Sequence, residues 1–401
     1  MASPFREINW KIMIPVMLFV VFQSAFNSFS SVLSDIQARF PEASATTVQM
    51  VLTFPSIMSI PISLLAGILA SYITKKRLVL FALGAEFIGG MLPLFYHESI
   101  YTLFISSGFI GIGQGFMISC STAILAENFE GTARGAAMGL KQVASSLGIM
   151  GLTILTGRLS TIAWYKAYYV YLITLLLIVL VVIFLPKGKT DDRLLGKGVG
   201  LSGLKTIFNP STVYLFILFF FLGACNFAFY TNIGMSVTTK GLGNASVIGM
   251  ATAWNPVSTV AIGFLYGYIL KLFKKYTLMV ATIVLSTAFT VLTFAPSISI
   301  IVLGGIIYGV GAGLQQASAL YYVTEAVPKT ATALTISIAM MMTSLGITFS
   351  PVVINGITRG LGNTVNGTSG LTIAAIAYGI FFILELVREG LFNKESRIGM
   401  N

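Results

Sequence analysis

Residues 111–149, GIGQGFMISCSTAILAENFEGTARGAAMGLKQVASSLGI, align without a gap with residues 309–347, GVGAGLQQASALYYVTEAVPKTATALTISIAMMMTSLGI. The offset is constant at 198 positions, and both stretches end in Ser-Leu-Gly-Ile. The alignment pairs three glycines with three glycines, namely Gly111, Gly113 and Gly115 with Gly309, Gly311 and Gly313. A repeat of this length, spaced by almost half of the chain, indicates that the two halves are duplicates of one unit.

The composition assigns the chain to the membrane. Hydrophobic residues make up 56% of it and charged residues 9%, with a mean hydropathy of +0.90, so an ordinary solvated surface is excluded. The net charge of +11 comes from short basic clusters between apolar runs, which indicates membrane topology and no nucleic-acid partner. Cys120 and Cys225 both lie in apolar runs, so we expect no disulfide, no metal site and no cofactor.

Twelve apolar runs are long enough to cross about 30 Å of hydrocarbon at roughly 20 residues each. They lie near residues 10–33, 47–71, 77–96, 100–126, 134–157, 164–185, 211–236, 247–270, 276–295, 298–325, 330–355 and 371–391. They lack the alternation of membrane strands. The sequence therefore predicts an all-α integral membrane protein with twelve transmembrane helices in two pseudo-symmetric six-helix bundles.

The predicted domains are an N-terminal bundle (1–185), a cytoplasmic linker (186–210) and a C-terminal bundle (211–401). Placing the N terminus inside leaves 19 of the 24 basic residues on the cytoplasmic side, so we expect both termini there and a multi-pass protein of the cell membrane. Because six helices separate equivalent positions, the halves share one orientation. A parallel duplication of this kind is associated with alternating access around a midplane site.

The loop between segments two and three, GILASYITKK at residues 67–76, resembles the signature loop G-x-L-A-D-R-x-G-R-K of the major facilitator superfamily. The matching residues are Gly67, Leu69, Ala70, Lys75 and Lys76, while Ser71 occupies the acidic position. The resemblance implies a secondary active transporter whose bundles rock around a central cavity. In that family the cavity is lined by helices one, four, seven and ten, with parts of two, five, eight and eleven.

Polar residues on those helices are the predicted contacts of a small-molecule substrate. They are Gln23, Asn27, Gln114, Lys141, Gln142, Asn226, Tyr230, Trp254, Asn255, Gln315 and Gln316. Each amide has two interpretations that the sequence leaves open, a contact with the solute or a hydrogen bond between helices. Together they favour a polar cavity.

Acidic residues inside apolar runs are predicted to act in coupling or gating, because a charge in hydrocarbon costs about 2.5 to 3.5 kcal/mol. Glu86 lies in segment three and is either a proton site or a protonated structural carboxyl. Glu127 aligns with Glu325 in the repeat, and the predicted ion-pair partner of Glu127 is Lys75 or Arg134. The alternative for Glu127 and Glu325 is an ion pair at a helix end.

Lys141 is the most informative single residue, because the repeat places Ala339 at the equivalent position. One interpretation is that its side chain snorkels to the cytoplasmic interface. The other is that it binds the anionic part of a small organic acid, with amides of segments seven and ten as partners. The equivalent of its neighbour Gln142 is Met340, so the scaffold itself needs neither polar group.

Three function classes follow from these features. The favoured one is a secondary transporter of a small polar or anionic organic solute, coupled to an ion gradient with the proton as the expected ion and acting as a monomer. A proton-driven exporter of amphipathic drugs is the alternative. An enzyme or channel lacks support, because the sequence contains no catalytic cluster, nucleophile elbow or phosphate loop.

Overall fold

The computed structural model describes residues 9–70, 72–186, 210–273, 276–326 and 332–398. Within these ranges it is nearly all helical, and twelve of its helices are long and apolar enough to cross a membrane. The predicted all-α membrane fold is therefore confirmed. The predicted linker at 186–210 and the signature-loop residue Ser71 fall almost wholly outside the described residues.

The first six membrane helices are labelled α1 to α6. They are α1 (Trp10–Ser31), α2 (Ala45–Leu69), α3 (Lys75–Phe95), α4 (Ile100–Asn128), α5 (Gly131–Ser160) and α6 (Trp164–Phe184). Two of them change helix type along their length, because α1 becomes a 3-10 helix at Ala25–Ser31 and α6 begins as one at Trp164–Leu172. A short helix, Leu33–Arg39, follows α1.

The second six helices repeat this order as α7 to α12. They are α7 (Pro210–Thr239), α8 (Ala245–Thr252 and Trp254–Phe273), α9 (Thr277–Phe294), α10 (Ile298–Ala326), α11 (Thr332–Gly360) and α12 (Gly367–Ile398). At the end of α7, Lys240 donates to the backbone carbonyls of Leu292, Thr293 and Ala295 and so caps α9. Burial there lowers the pKa of Lys240.

The repeated glycines explain how neighbouring helices approach each other closely. A side chain at Gly111 would collide with the Pro55 carbonyl of α2, and one at Gly309 would collide with the Asn255 carbonyl of α8. The same type of contact therefore joins α4 to α2 and α10 to α8. Small residues let helix backbones pack in this way when lipid supplies no hydrophobic drive.

Two hydrophobic cores occupy the two halves. One consists of buried residues of α1 to α6 together with Phe227 and Met235 of α7, and the other is built from α7 to α12. Each half therefore has its own packed interior, while α7 contributes to both.

The halves meet at one end of the bundle. We call the end at which α6 stops and α7 starts the linker end, and the opposite one the far end. Toward the far end, the rings of Phe26 and Phe227 stack with centroids 6.2 Å apart. Gly157 faces the backbone of Ala245, and Gly234 faces that of Ser30. These contacts close the far end.

Candidate functional site

The 3-10 portion of α1 places the first polar groups of the site. Ser28 and Ser31 donate their hydroxyls to the carbonyls three residues earlier, at Ala25 and Ser28, and such local bonds compete with a regular α-helix. Asn27 lies in this stretch, and its Oδ1 is buried with no hydrogen-bond partner. The sequence thus builds an irregular segment in the last third of α1 that presents an amide oxygen with no partner among the described residues.

A polar path leads from α1 to Lys141. Gln23 accepts a hydrogen bond from the Ser121 hydroxyl of α4 at 3.3 Å. The next residue, Thr122, accepts one from the Lys141 ammonium of α5 at 2.7 Å. These contacts form one polar cluster across three helices. We call it the lysine cluster, and it consists of Gln23, Ser121, Thr122 and Lys141.

Lys141 is ten residues, or about 15 Å, into α5, and its ammonium lies nearer the linker end than its backbone, which leaves both interpretations of this residue open. Thr122 precedes the end of α4 at Asn128 by six residues, which places the hydroxyl about 9 Å from the helix end. The ammonium bonds at this depth to a neighbouring helix. Among the described side chains no carboxylate pairs with it. A lysine ammonium has three N–H donors, and the bond to Thr122 uses one of them. The remaining donors can bind an anion.

A second polar cluster joins three helices of the C-terminal half. Asn226 of α7 donates to Gln315 of α10 at 2.8 Å, and Gln315 donates to the Tyr378 hydroxyl of α12 at 3.3 Å. Tyr308 donates to the backbone carbonyl of Asn226 at 2.9 Å. We call Asn226, Gln315, Tyr378 and Tyr308 the amide cluster. Its Asn226 retains a buried Oδ1 with no partner.

The α7–α8 contact accounts for two more of the predicted residues. Asn255, which is buried, donates to the Tyr230 hydroxyl at 3.0 Å. Trp254, the preceding residue, is 49% exposed. The structure thus brings Tyr230 and Asn255 together and leaves the Trp254 ring accessible.

The remaining predicted amides form no hydrogen bond with another described side chain. Gln114 of α4 is buried, and its Oε1 has no partner. Gln142 and Gln316 are exposed, and no hydrogen bond joins either of them to another described residue. Gln142 therefore does not share the hydrogen-bonded environment of its neighbour Lys141.

The predicted gating residues fall into two groups. Lys75 at the start of α3 pairs with Glu127 near the end of α4 at 2.5 Å, so this ion pair joins two helices of one half. Of the two predicted partners of Glu127, the structure therefore brings Lys75 to it. The side chains of Arg134 and Glu325 lie outside the described set. Glu86 is fully buried within the N-terminal half.

A polar network at the far end was not predicted from the sequence. Gln49 of α2 donates to the Thr231 carbonyl and to Asn232 Oδ1 of α7, both at 3.1 Å. Asn355 of α11 donates to Gln49 Oε1 at 2.7 Å and to Thr46 at 3.0 Å. Gln49, Asn232 and Asn355 are each at most 1% exposed. This far-end amide network holds the two halves together.

The sequence contained a weak signal for this network. Gln49 and Asn355 are isolated amides inside apolar runs, which is the pattern that marked the other polar candidates. Their pairing across 306 positions depends on the way that the halves dock. Neither a periodicity nor a motif in the sequence predicts the contact between Gln49 and Asn355.

The described residues contain no group of three histidine, cysteine or carboxylate side chains that is placed to hold a metal ion. What the site offers is one ammonium, a set of amides and several aromatic rings. An ammonium can make a charge contact with a polar organic molecule, and amides can add neutral hydrogen bonds.

Comparison with known families adds a sequence match. The model of the Major Facilitator Superfamily matches residues 7–243 and 230–395, so the matched segments span nearly the whole chain. No curated protein matches the sequence.

Solved structures with the same fold are also transporters. The nucleoside transporter NupG superposes with a TM-score of 0.78 at 15% identity, covering 96% of this chain and 99% of that one. A mutant of NupG gives a TM-score of 0.80 at 13% identity, with 95% and 99% coverage. A POT family transporter in complex with 5-aminolevulinic acid gives 0.70 at 15% identity, with 93% and 95% coverage. At these identities the likeness concerns the fold.

Proposed function

Because this chain belongs to the Major Facilitator Superfamily, we propose that it carries a small polar organic solute with an anionic group across the cell membrane by alternating access. The carboxylate or similar anion binds Lys141. Amides of both halves bind the rest of the molecule. The work of transport against a gradient comes from a coupled ion, and the monomer is the working unit.

The observation that carries this proposal is the lysine cluster. Its ammonium lies about 9 Å from the end of α4, where the Thr122 hydroxyl is its one partner among the described residues, and the repeat has Ala339 in the equivalent place. A buried or half-buried cation needs a compensating anion, since desolvation disfavours its charged form. A solute carboxylate supplies that anion during the transport cycle.

The amides supply the rest of the site. Asn27, Asn226 and Gln114 each keep a buried oxygen without a partner, and such atoms are satisfied when a bound molecule donates to them. A solute with hydroxyl or amino groups besides its carboxylate meets this requirement. The related structures fit the same picture, since one is a nucleoside transporter by name and another holds 5-aminolevulinic acid.

We further propose that both termini are cytoplasmic, from the distribution of Lys and Arg. The linker end is then the cytoplasmic end, and the closed far end faces outward. In this assignment the structure corresponds to a state that receives or releases solute on the inside.

Transport by purified protein in proteoliposomes tests the proposal. A panel of radiolabelled hydroxy and amino carboxylates, sugars, nucleosides and amphipathic dyes is offered with and without an imposed proton gradient. We expect saturable, gradient-stimulated uptake of one or more carboxylates. Transport of neutral sugars or nucleosides without any carboxylate would remove the anionic part of the proposal. Movement of the dyes alone would favour the drug exporter.

A further inference from the structure

Glu86 is a buried carboxyl group that has no visible structural task. It lies in the middle of α3, is 1% exposed, and its Oε2 has no hydrogen-bond partner among the described residues. Its side chain fits only because the facing residue of α4 is Gly113, where a side chain would collide with the Glu86 methylene carbon. A carboxyl that served packing would be expected to bond to a neighbour.

The other half shows that the scaffold does not require an acid here. Gly311 is the repeat equivalent of Gly113, and a side chain at Gly311 would collide with Leu285. Leu285 lies on α9, the counterpart of α3, and is fully buried in the second core. The same glycine-bordered position is therefore filled by an aliphatic side chain in one half and by a carboxyl in the other.

The surroundings of Glu86 connect it to the irregular part of α1. Gly90, one turn from Glu86 on α3, packs against the ring of Tyr171 on α6. The hydroxyl of Tyr171 is buried, and no described residue forms a hydrogen bond with it. Its ring also lies 6.1 Å from that of Phe22 and 5.9 Å from that of Phe29, on either side of Asn27 in α1. A change at Glu86 thus has a short route to the predicted solute site.

The titratable groups facing Glu86 are few. From α6 the hydroxyl of Tyr171 faces it, and Tyr168 stacks on the far side of Tyr171 at a ring distance of 6.3 Å. On α3 and α4, Lys75 and Glu127 pair with each other at the linker end, and Lys75 is eleven residues, or about 16 Å, from Glu86. The described part of α1 adds only Lys11, in its first turn. No cation in this set balances a carboxylate at Glu86.

We propose that Glu86 binds and releases the coupling proton, at a site inside the N-terminal bundle and outside the central cavity. This inference rests on the proposed function, since it names the ion and the residue that couple transport. The carboxylate takes up one proton to become a neutral acid and later returns it to water. In the state described here the acid is neutral, because a buried carboxylate without a partner is strongly disfavoured. Release of the proton requires a rearrangement that admits water.

A small cavity, lined mainly by apolar side chains, lies next to Tyr171. Tyr171, Tyr168 and Phe26 line it on one side, and it extends to Leu33 and Ile36 toward the far end. The cavity therefore lies between Tyr171, which neighbours Glu86, and the closed far end of the protein. In our proposal, opening of the far end connects this cavity to the outside and admits water.

The first experiment measures the proton without any solute. Infrared difference spectra of purified protein in lipid nanodiscs are recorded through a pH titration. We expect a carboxylic-acid carbonyl band that titrates in the parent and in Glu385→Gln, and that is missing in Glu86→Gln. Glu385 is the matched control, since it is 5% exposed but accepts a hydrogen bond from Tyr214 at 2.9 Å. Identical titrating bands in the parent and in Glu86→Gln would overturn the proposal.

The second experiment measures coupling in proteoliposomes with any panel solute that the parent transports. We expect Glu86→Gln, and Glu86→Leu as the residue of the other half, to exchange labelled for unlabelled solute like the parent. Both should lose accumulation driven by a proton gradient and the acidification of the lumen that accompanies it. Gradient-driven accumulation equal to the parent's would show that Glu86 is structural. If the parent transports no panel solute, the proposed function fails, and the infrared titration alone decides the proton site.

Discussion

The two halves of the protein share a scaffold but use their polar residues differently. In the C-terminal half, Asn226, Gln315 and Tyr378 are hydrogen-bonded to one another across three helices. In the N-terminal half, Asn27 and Gln114 keep buried oxygens without partners among the described residues and are not joined in such a cluster, whereas in the C-terminal half Asn226 combines an unpartnered oxygen with its bond to Gln315. Glu86 and Lys141 add a carboxyl and an ammonium that the other half lacks, since Leu285 faces the equivalent glycine there and Ala339 aligns with Lys141.

This difference separates polar groups that stabilise the fold by hydrogen bonds from polar groups that have no such bond. A hydrogen bond between membrane helices contributes about 0.6 kcal/mol on average, so the amide cluster stabilises the C-terminal half modestly. A buried polar group without a partner costs about 1 to 3 kcal/mol. The N-terminal half bears this cost at several positions. We infer that it carries the chemistry of transport while the C-terminal half supplies a firmer frame.

The largest expected effect follows from removing the charge of the N-terminal half. Lys141→Met makes that half resemble the other at this position. Loss of one partner of a partly buried charge pair costs about 2 kcal/mol or more, so affinity for the anionic solute should fall roughly 30-fold or further. Binding to purified protein, measured by calorimetry or scintillation proximity, gives the affinity, and thermal unfolding shows whether the fold is intact.

Lys76→Met is the matched control for this variant. Lys76 belongs to the same half but donates to the backbone carbonyl of Val182 at 2.7 Å, a structural contact at the linker end. We expect it to bind solute like the parent. If Lys141→Met also binds anionic and neutral solutes like the parent, Lys141 is a snorkelling residue and the organic-anion proposal is wrong.

The fold could be predicted from the sequence because its signals are local or periodic. Twelve long apolar runs and an ungapped offset of 198 positions define the helices and their duplication without any knowledge of contacts. The predicted runs agree with the observed helices to within a few residues at most ends. The change of α1 to a 3-10 helix at Ala25–Ser31 was not predicted, because it depends on side-chain bonds of two serines.

The site could be predicted by residue type but not by pairing. The sequence marks polar residues in the helices that line the cavity in the resembling family, since a polar group in an apolar run needs a partner, and their role in binding stays a prediction. Which partner it finds is decided by helix rotation and by docking of the halves. The bond from Lys141 to Thr122 and the bond from Asn355 to Gln49 are of this kind.

An intermediate effect is expected at the place where the two halves meet. Gln49→Leu removes the centre of the far-end amide network, which contacts α7 and α11 at once. Loss of these bonds should weaken closure of the far end by about 1 to 2 kcal/mol, a roughly 5- to 30-fold shift toward far-end opening. Spin labels at Glu42→Cys and Leu361→Cys, on exposed loops of the two halves, report the distance distribution.

The labelled protein needs a background in which the two buried cysteines, Cys120 and Cys225, are replaced by serine. Gln37→Leu is the control, because Gln37 is a glutamine near the far end whose bond to the Ala43 carbonyl stays within one half. We expect it to leave the distances unchanged. An equal response of both variants would mean that the network contributes nothing specific to closure.

The smallest effect is expected inside the amide cluster, and it separates the two halves most directly. Met117 occupies the position of the N-terminal half that is equivalent to Gln315, so Gln315→Met gives the C-terminal half the residue of its duplicate. The change removes the acceptor for Asn226 and the donor to Tyr378. It should lower stability by about 1 kcal/mol, visible as a small fall in the thermal midpoint followed by aromatic fluorescence.

Gln114→Met is the matched change in the N-terminal half, at a buried glutamine whose oxygen has no partner in the structure. Removal of an unpaired polar atom from an apolar interior is neutral or stabilising, so the thermal midpoint should stay level or rise. Solute affinity should fall instead, because the variant loses an acceptor that we assign to the bound molecule. The two variants thus predict opposite patterns, with stability lost at Gln315 and binding lost at Gln114. Equal losses of stability in both would show that unpaired and paired amides serve the same structural purpose, and the contrast between the halves would then have no functional meaning.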